Sequence, residues 1–388
     1  MGAVVFTAVA AHAQKIKIGF NGDLSASPSA LVGQSSVAAM QVAIDEVNAA
    51  GGVLGRKLTL VVRDDLSQPA KSIQNMVELI DNEKVAIVLG PTNSGNALAW
   101  RSIPNQKKVP VIVPMANATD ITKPLSPGAD NYIFRVSLVD GDSIVGLMAY
   151  ASKNPKSKKI AYLAETTGYG QAGLKDIQEI GKLHKIEPVM IEKFGVNDTD
   201  MTSQLNKLKS AGVDTVVVWA QATPLGLLMR SMEKIDYFPV VLSGFATDQP
   251  PFLQAAGPKL IELPIFMRTI PGGPMSKPMQ KLYDQISSKT TLGAPLIAQA
   301  AHSYDSVKLF VLAVQQAGST DGQKVKAALE NLQQPYAGLM KNYVKPFSKT
   351  QHEALTAPDY HWIKWQNGKA IEFNNDVIKS LTPADFKR

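Results

Sequence analysis

The chain has 388 residues, 45% of them hydrophobic and 19% charged, a globular composition with enough length for two domains. The formal net charge is +7, yet Lys and Arg are scattered apart from short clusters such as KNPKSKK (153–159), with no basic stripe carrying interleaved aromatics, so nucleic acid is disfavoured and a mild positive field suits anionic small molecules. There is no cysteine, which excludes disulfides and thiol chemistry, and no apolar run of about eighteen residues that would span a membrane.

The opening MGAVVFTAVAAHAQ is an apolar stretch ending in AHA, an A-x-A cleavage pattern. Residues 1–13 therefore read as a signal peptide remnant, with cleavage after Ala13 and a mature chain outside the cytoplasm. From Lys15 onward, short β-branched runs alternate with helix-periodic segments. IKIGFNG (16–22) is a predicted strand, and Val37, Met40, Ile44 and Val47 then share one helix face. NAAGGVLG (48–55) stops that helix and turns the chain. LTLVVRDD (58–65), VAIVLG (85–90) and VPVIVPM (109–115) continue the rhythm, with a helix over about 70–82. These near-continuous apolar runs suit parallel strands covered on both faces, and the βαβα order predicts a doubly wound α/β sheet.

The rhythm restarts after LVDGDSIVG. KIAYLAE (159–165), PVMIEKF (188–194), TVVVWAQ (215–221) and PVVLSGF (239–245) are predicted strands, with helices near 170–183, 200–210 and 224–234. Two α/β units thus stand in series. A long helix covers LIAQAAHSYDSVKLFVLAVQQAG (296–318), and YHWIKWQNGKAIEF (360–373) alternates as a hairpin turning at Asn367-Gly368.

Enzyme motifs are weak. GYGQAG (168–173) matches G-x-G-x-x-G between a strand and a helix, with Glu192 where a ribose-binding acid could stand. The intervening ETT removes the tight turn that fingerprint needs, so a plain glycine-rich loop competes with an NAD(P)- or FAD-binding loop. HEAL (352–355) lacks a second histidine four residues on, and no pair among the five histidines has helical ligand spacing, so no metal is expected. GDSIVG (141–146) reads as a helix start with Asp142 or Ser143 as N-cap. Three polar loops remain, near 92–96, 115–119 and 166–169, each just past the C-terminal end of a predicted parallel strand, where open α/β sheets bind ligands. In the first, a strand ending at Gly90 hands over to a helix beginning near Ser94. The helix N-terminus favours an anion, and Asn93 and Ser94 add side-chain hydrogen bonds; Ser94 can also be the N-cap.

AIDEVNAAGGVLGRKLTLVVRDD (43–65), GPTNSG (90–95), VPVIVPMANATD (109–120), NYIFRVSLVDGD (131–142) and YGQAG (169–173) together resemble the branched-chain amino-acid-binding family. These are substrate-binding proteins of ATP-driven (ABC) importers with the type I periplasmic fold. The likeness runs in order from about Lys15 to the end. It implies two lobes joined by three crossover strands near Leu138, Met267 and Leu339, with 14–137 plus 268–338 as the first lobe and 138–267 plus 339–388 as the second.

It also implies that the loop of Thr92, Asn93 and Ser94 grips a ligand carboxylate through Ser94, that Met115, Ala116 and Asn117 contact it, and that Tyr169, after Thr167, covers it. Trp219 and Gln221 match another cleft loop, although Trp219 can equally be core. Amino-acid binders place an acid after the strand matching PVVLSGF to pair with the ligand ammonium. Here Phe245 or Ala246 holds that place, and Asp248 is out of register. The expected ligand is therefore an aromatic or aliphatic carboxylate rather than a zwitterionic amino acid. A membrane permease is the expected partner, and the chain is expected to be a monomer without cofactor, metal or catalytic residues. The rival readings are a ligand-sensing receptor of the same fold and an oxidoreductase built on GYGQAG.

Overall fold

The computed structural model describes residues 14–387 apart from 291, 293 and 294; the expected signal remnant lies outside these. The first unit runs β1 (Ile16–Gly22), α1 (Ala30–Ala49), β2 (Leu58–Asp64), α2 (Pro69–Val77), β3 (Ile87–Leu89), α3 (Ser94–Trp100), α4 (Ser102–Lys107), β4 (Val111–Val113) and β5 (Ile133–Arg135). Its five strands pair in parallel in the order β2-β1-β3-β4-β5. The central strands are buried on both faces, as Ile87, Val88 and Leu89 show with no exposure, which is why they read as unbroken apolar runs.

The second unit runs α5 (Asp140–Lys153), β6 (Ile160–Glu165), α6 (Gly168–Leu183), β7 (Met190–Phe194), α7 (Thr202–Ser210), β8 (Thr215–Trp219), α8 (Ala222–Lys234), β9 (Val240–Ser243), α9 (Pro250–Ala256) and β10 (Pro264–Arg268). Strands β7-β6-β8-β9-β10 pair in parallel, repeating the strand order of the first unit. The chain then returns to the first unit with α10 (Lys277–Lys289), α11 (Ile297–Ala317), α12 (Gly322–Leu329), β11 (Tyr336–Ala337) and β12 (Asn342–Tyr343). It closes on the second sheet with the antiparallel hairpin β13 (His361–Gln366) and β14 (Lys369–Glu372), which turns at Asn367-Gly368 as the alternation predicts.

Several details differ from the sequence reading. Val139, not Asp142 or Ser143, precedes α5, and Asn93, not Ser94, caps α3. Strands β5 and β10 carry no clear periodic signal and lie at the crossings. The segment after Leu339 stays with the first unit. Arg135 N–H donates to His352 O at 2.8 Å, Ala354 N–H donates to Arg135 O at 2.9 Å, and Phe134 stacks on His352 with centroids 4.1 Å apart. The third crossing therefore falls between Leu355 and His361, later than the 338/339 boundary. It is tied to the first crossing by Val139 N–H, which donates to the Tyr360 hydroxyl at 2.8 Å.

Candidate functional site

In a sheet of order 2-1-3-4-5 the loops leaving the first and third strands diverge, and the crevice between them takes ligands. Both units have this order, and their crevices face each other. In the first, Asp23 is fully buried and gathers the N–H groups of Ser25, Ala26 and Ser27 at 3.2, 2.9 and 3.1 Å. It also accepts from the hydroxyls of Ser27 and Ser29 at 2.5 and 3.1 Å, which folds the loop after β1 and sets Pro28, Ser29 and Val32 at the crevice. Asp23 N–H donates to Thr92 Oγ1 at 3.0 Å, joining this loop to the one after β3. There Gly90 has φ +136°, and a Cβ would lie 2.2 Å from Asn21 O, so only glycine fits. Asn93 Oδ1 then accepts from Gly95 N–H at 2.8 Å and starts α3.

Ser94 is 2% exposed, and its Oγ accepts from Ala118 N–H at 3.1 Å. With that lone pair engaged, its own proton is left to donate. The loop after β4 is thereby held against α3. The Asn117 amide is placed to donate to Met115 O at 2.6 Å and Leu138 O at 3.1 Å. Behind the loop the Arg135 guanidinium, with no exposure, donates to Ala118 O at 3.0 Å and clasps Glu353 at 2.8 and 2.9 Å.

In the second unit Tyr169 covers the crevice, 9% exposed. Trp219 supports it from beneath, with ring centroids 6.4 Å apart. Gly173 makes room for that indole: a Cβ there would stand 2.0 Å from Trp219 Cδ1. Gln221 accepts nothing at Oε1, which is buried, while its N–H donates to the Glu165 carboxylate at 2.9 Å. Thr167 donates to the same carboxylate at 2.5 Å and caps α6.

The crevices enclose a cavity of about 60 Å³. Nine of the eleven expected residues line it: Thr92, Asn93, Ser94, Met115, Ala116, Asn117, Tyr169, Gln221 and Phe245. Trp219 and Thr167 do not. Trp219 is fully buried beneath Tyr169, and Thr167 is spent on the helix cap and Glu165. Sequence reasoning missed Pro28, Ser29, Val32, Gln249 and Gln299, and named Ala246 only as the alternative to Phe245. The serine-rich DLSASPSA after β1 was the available signal for Ser29; Gln299 enters from a helix far along the chain and carried none.

Among the described residues no charged side chain lines the cavity. Asp248 lies outside it and pairs with the Arg268 guanidinium at 2.5 Å. Asp140 stands behind Tyr169, fully buried. Burial and the nearby Asp176 push its carboxyl up to about 8, so it is mostly uncharged at neutral pH. No cluster of His, Asp or Glu able to hold a metal occurs among the described residues, nor a helix long and apolar enough to cross a membrane.

The lobes touch around this cavity. Thr119 donates to Asp176 at 2.6 Å, and Lys175 pairs with Asp120 at 2.7 Å. Gly168 lies against Gly95: a Cβ at Gly168 would be 2.5 Å from the Gly95 Cα. The GYGQAG loop therefore meets the opposite lobe where a dinucleotide fingerprint would meet pyrophosphate.

Residues 15–366 match the family described as Periplasmic binding protein. The Leu/Ile/Val-binding protein homolog 3 of Brucella melitensis is 25% identical over 371 residues, covering 95% of this chain and 96% of that one. The branched-chain amino acid transporter substrate-binding protein LivJ of Streptococcus pneumoniae, solved with isoleucine, superposes with a TM-score of 0.76 at 24% identity, covering 93% of this chain and 99% of that one. A solute-binding protein of an ABC transporter from Rhodopseudomonas palustris BisB5, solved with 3,4-dihydroxybenzoic acid, also gives 0.76, at 21% identity over 92% of this chain and 96% of that one. With the paired crevices and repeated strand order, the family match over residues 15–366 shows that the chain belongs to the periplasmic binding proteins, substrate-binding proteins of transporters rather than enzymes.

Proposed function

We propose that the protein captures a small organic carboxylate without an ammonium group and delivers it to the membrane permease of an ABC importer from the periplasm. The carrying observation is the chemistry of the cavity wall. Among the described residues, hydroxyls, amides, Tyr169 and Phe245 line it and no carboxylate does. A buried ammonium with no counter-ion costs several kcal/mol, of order ~3–5. Asp248 cannot repay this while it holds Arg268. A ligand carboxylate instead meets the Ser94 hydroxyl, whose lone pair is already engaged by Ala118.

The ligand's body rests on Tyr169 and Phe245, which suit an aromatic ring or a branched chain. The similar proteins solved with isoleucine and with 3,4-dihydroxybenzoic acid support both kinds of body on this fold. In this reading 14–137 with 269–355 forms one lobe and the remainder the other, and closure about the three crossings buries the ligand.

Titration calorimetry with matched pairs tests the claim: 4-methylpentanoate against leucine, and 3-phenylpropanoate against phenylalanine. The acid of each pair is expected to bind at least tenfold tighter. Tighter binding of the amino acids overturns the reading.

A further inference from the structure

We propose that the bound carboxylate carries an extended apolar tail, which leaves the Ser94 chamber beside Phe245 and runs into a second, larger cavity. This rests on the carboxylate reading of that chamber. The chamber of about 60 Å³ is too small for the ligand bodies considered, since an apolar cavity of about 150 Å³ is what takes up benzene. A neighbouring cavity has about 830 Å³, within the ~300–1,000 Å³ of ordinary ligand pockets. It lies between the second crossing, Leu339 and Met340, and the β13–β14 hairpin.

The two spaces share a wall of side chains. Phe245 lines the small chamber, while Ile270 and Met279 line the large one. These three pack in one apolar cluster with Ala298 and Ala301 of α11. The first turn of α11 faces both spaces, presenting Gln299 to the small one and Ile297 to the large one. Met279 is an unbranched side chain with three rotatable bonds, so it can move aside without backbone change.

The second cavity suits an uncharged tail. Met275, Met279, Met340 and Trp365 contribute flexible and aromatic apolar surface. Arg268 is paired with Asp248, Asp359 with Lys341 at 2.7 Å and His361 with Glu372 at 3.2 Å, and Lys369 stands at the rim. The exposed loop around Met275, 38% exposed, and the Gly368-Lys369 turn form its outer rim. The ligand class is therefore a medium-chain or ω-aryl monocarboxylic acid, with its head at Ser94 and its tail under the hairpin.

The test is calorimetry with butanoate, hexanoate, octanoate and decanoate on the wild-type protein and on Met340→Trp, which fills the second cavity. Wild-type affinity should rise about fourfold for each methylene buried beyond the chamber. Met340→Trp should weaken octanoate at least tenfold more than butanoate, while Ser94→Ala weakens both alike. If Met340→Trp fails to fold, the wild-type series decides alone. Affinity that is flat or falling with length overturns the tail and leaves the carboxylate head standing. Binding that rises with length but ignores Ser94→Ala overturns the head. Absence of binding by every acid overturns both.

Discussion

Thr119 donates its hydroxyl proton to Asp176 Oδ2 at 2.6 Å, from the loop after β4 to helix α6 of the other lobe. Both residues are buried, so the bond exists only while the lobes touch. Thr119→Val keeps the shape and removes the donor. A hydrogen bond to a charged acceptor contributes about 1.5–3 kcal/mol, and the loss falls on the closed form. Ligand affinity should drop about tenfold or more, and small-angle scattering should show a larger mean radius of gyration at equal ligand concentration. Gly141 N–H also loses its acceptor at 2.8 Å, so a small loss of thermal stability is expected alongside. Unchanged affinity and radius would mean that this contact does not govern closure.

His302 supplies a pH dependence of stability. It is fully buried on α11, with Nε2 2.9 Å from Thr269 Oγ1 at the second crossing. Burial lowers its pKa from 6.5 to about 3. The unfolded chain therefore takes up a proton below pH 6.5 that the folded chain refuses. The stabilisation is complete above that pH and is lost as pH falls towards about 3. Urea unfolding of wild type and His302→Gln should diverge over this window. The wild type should lose up to about 1.4 kcal/mol more per pH unit. Parallel pH profiles for the two proteins would show that His302 is not neutral in the fold.

Particular residues show where the sequence was legible. β1, β6 and β8 are central strands covered on both faces, so their apolar runs announce them. β5 was hidden because it is only three residues long and ends on Arg135, whose charge makes sense only with Glu353, more than two hundred residues away. The polar loops after β3 and β4 were legible because strand, glycine and helix follow in order. Gln299 was not, since nothing local distinguishes a buried cavity glutamine from a surface one. Trp219 alternates along β8 in a way that left cleft and core open; the room beside Gly173 and Gly244 puts it in the core. The third crossing was placed too early because the bridge between Arg135 and Glu353 is a tertiary pairing without periodic signal.

Asp305 anchors the turn that leads into that crossing. Its Oδ1 accepts from the Tyr336 hydroxyl and Leu339 N–H at 3.0 and 2.9 Å, and its Oδ2 from Met340 N–H and the Tyr343 hydroxyl, both at 3.0 Å. Asp305→Asn turns one of these two acceptor ends into a donor. Two buried donors then face an N–H₂ group, at about 1–3 kcal/mol each. Chemical denaturation should show a clear loss of stability, with Asp305→Ala at least as damaging. A change below about 0.5 kcal/mol, the range of an ordinary surface substitution, would contradict the anchoring role.

Ser94→Ala separates binding from folding at the centre of the proposed site. The substitution removes the hydroxyl that faces the cavity, while Asn93 still caps α3 and keeps its start in place. Folding should weaken by about 1–3 kcal/mol, because Ala118 N–H is left buried without its acceptor. Binding should weaken for a different reason. A hydrogen bond to a carboxylate contributes about 1.5–3 kcal/mol, so affinity for the acid should fall tenfold or more. A methyl ester of the same ligand keeps a carbonyl acceptor but no charge, and a neutral hydrogen bond contributes only about 0.5–1.5 kcal/mol. The mutant's penalty should therefore be several-fold larger for the acid than for the ester in paired calorimetric titrations. Equal penalties for acid and ester would show that Ser94 holds the two loops together through Ala118 and does not hold the carboxylate.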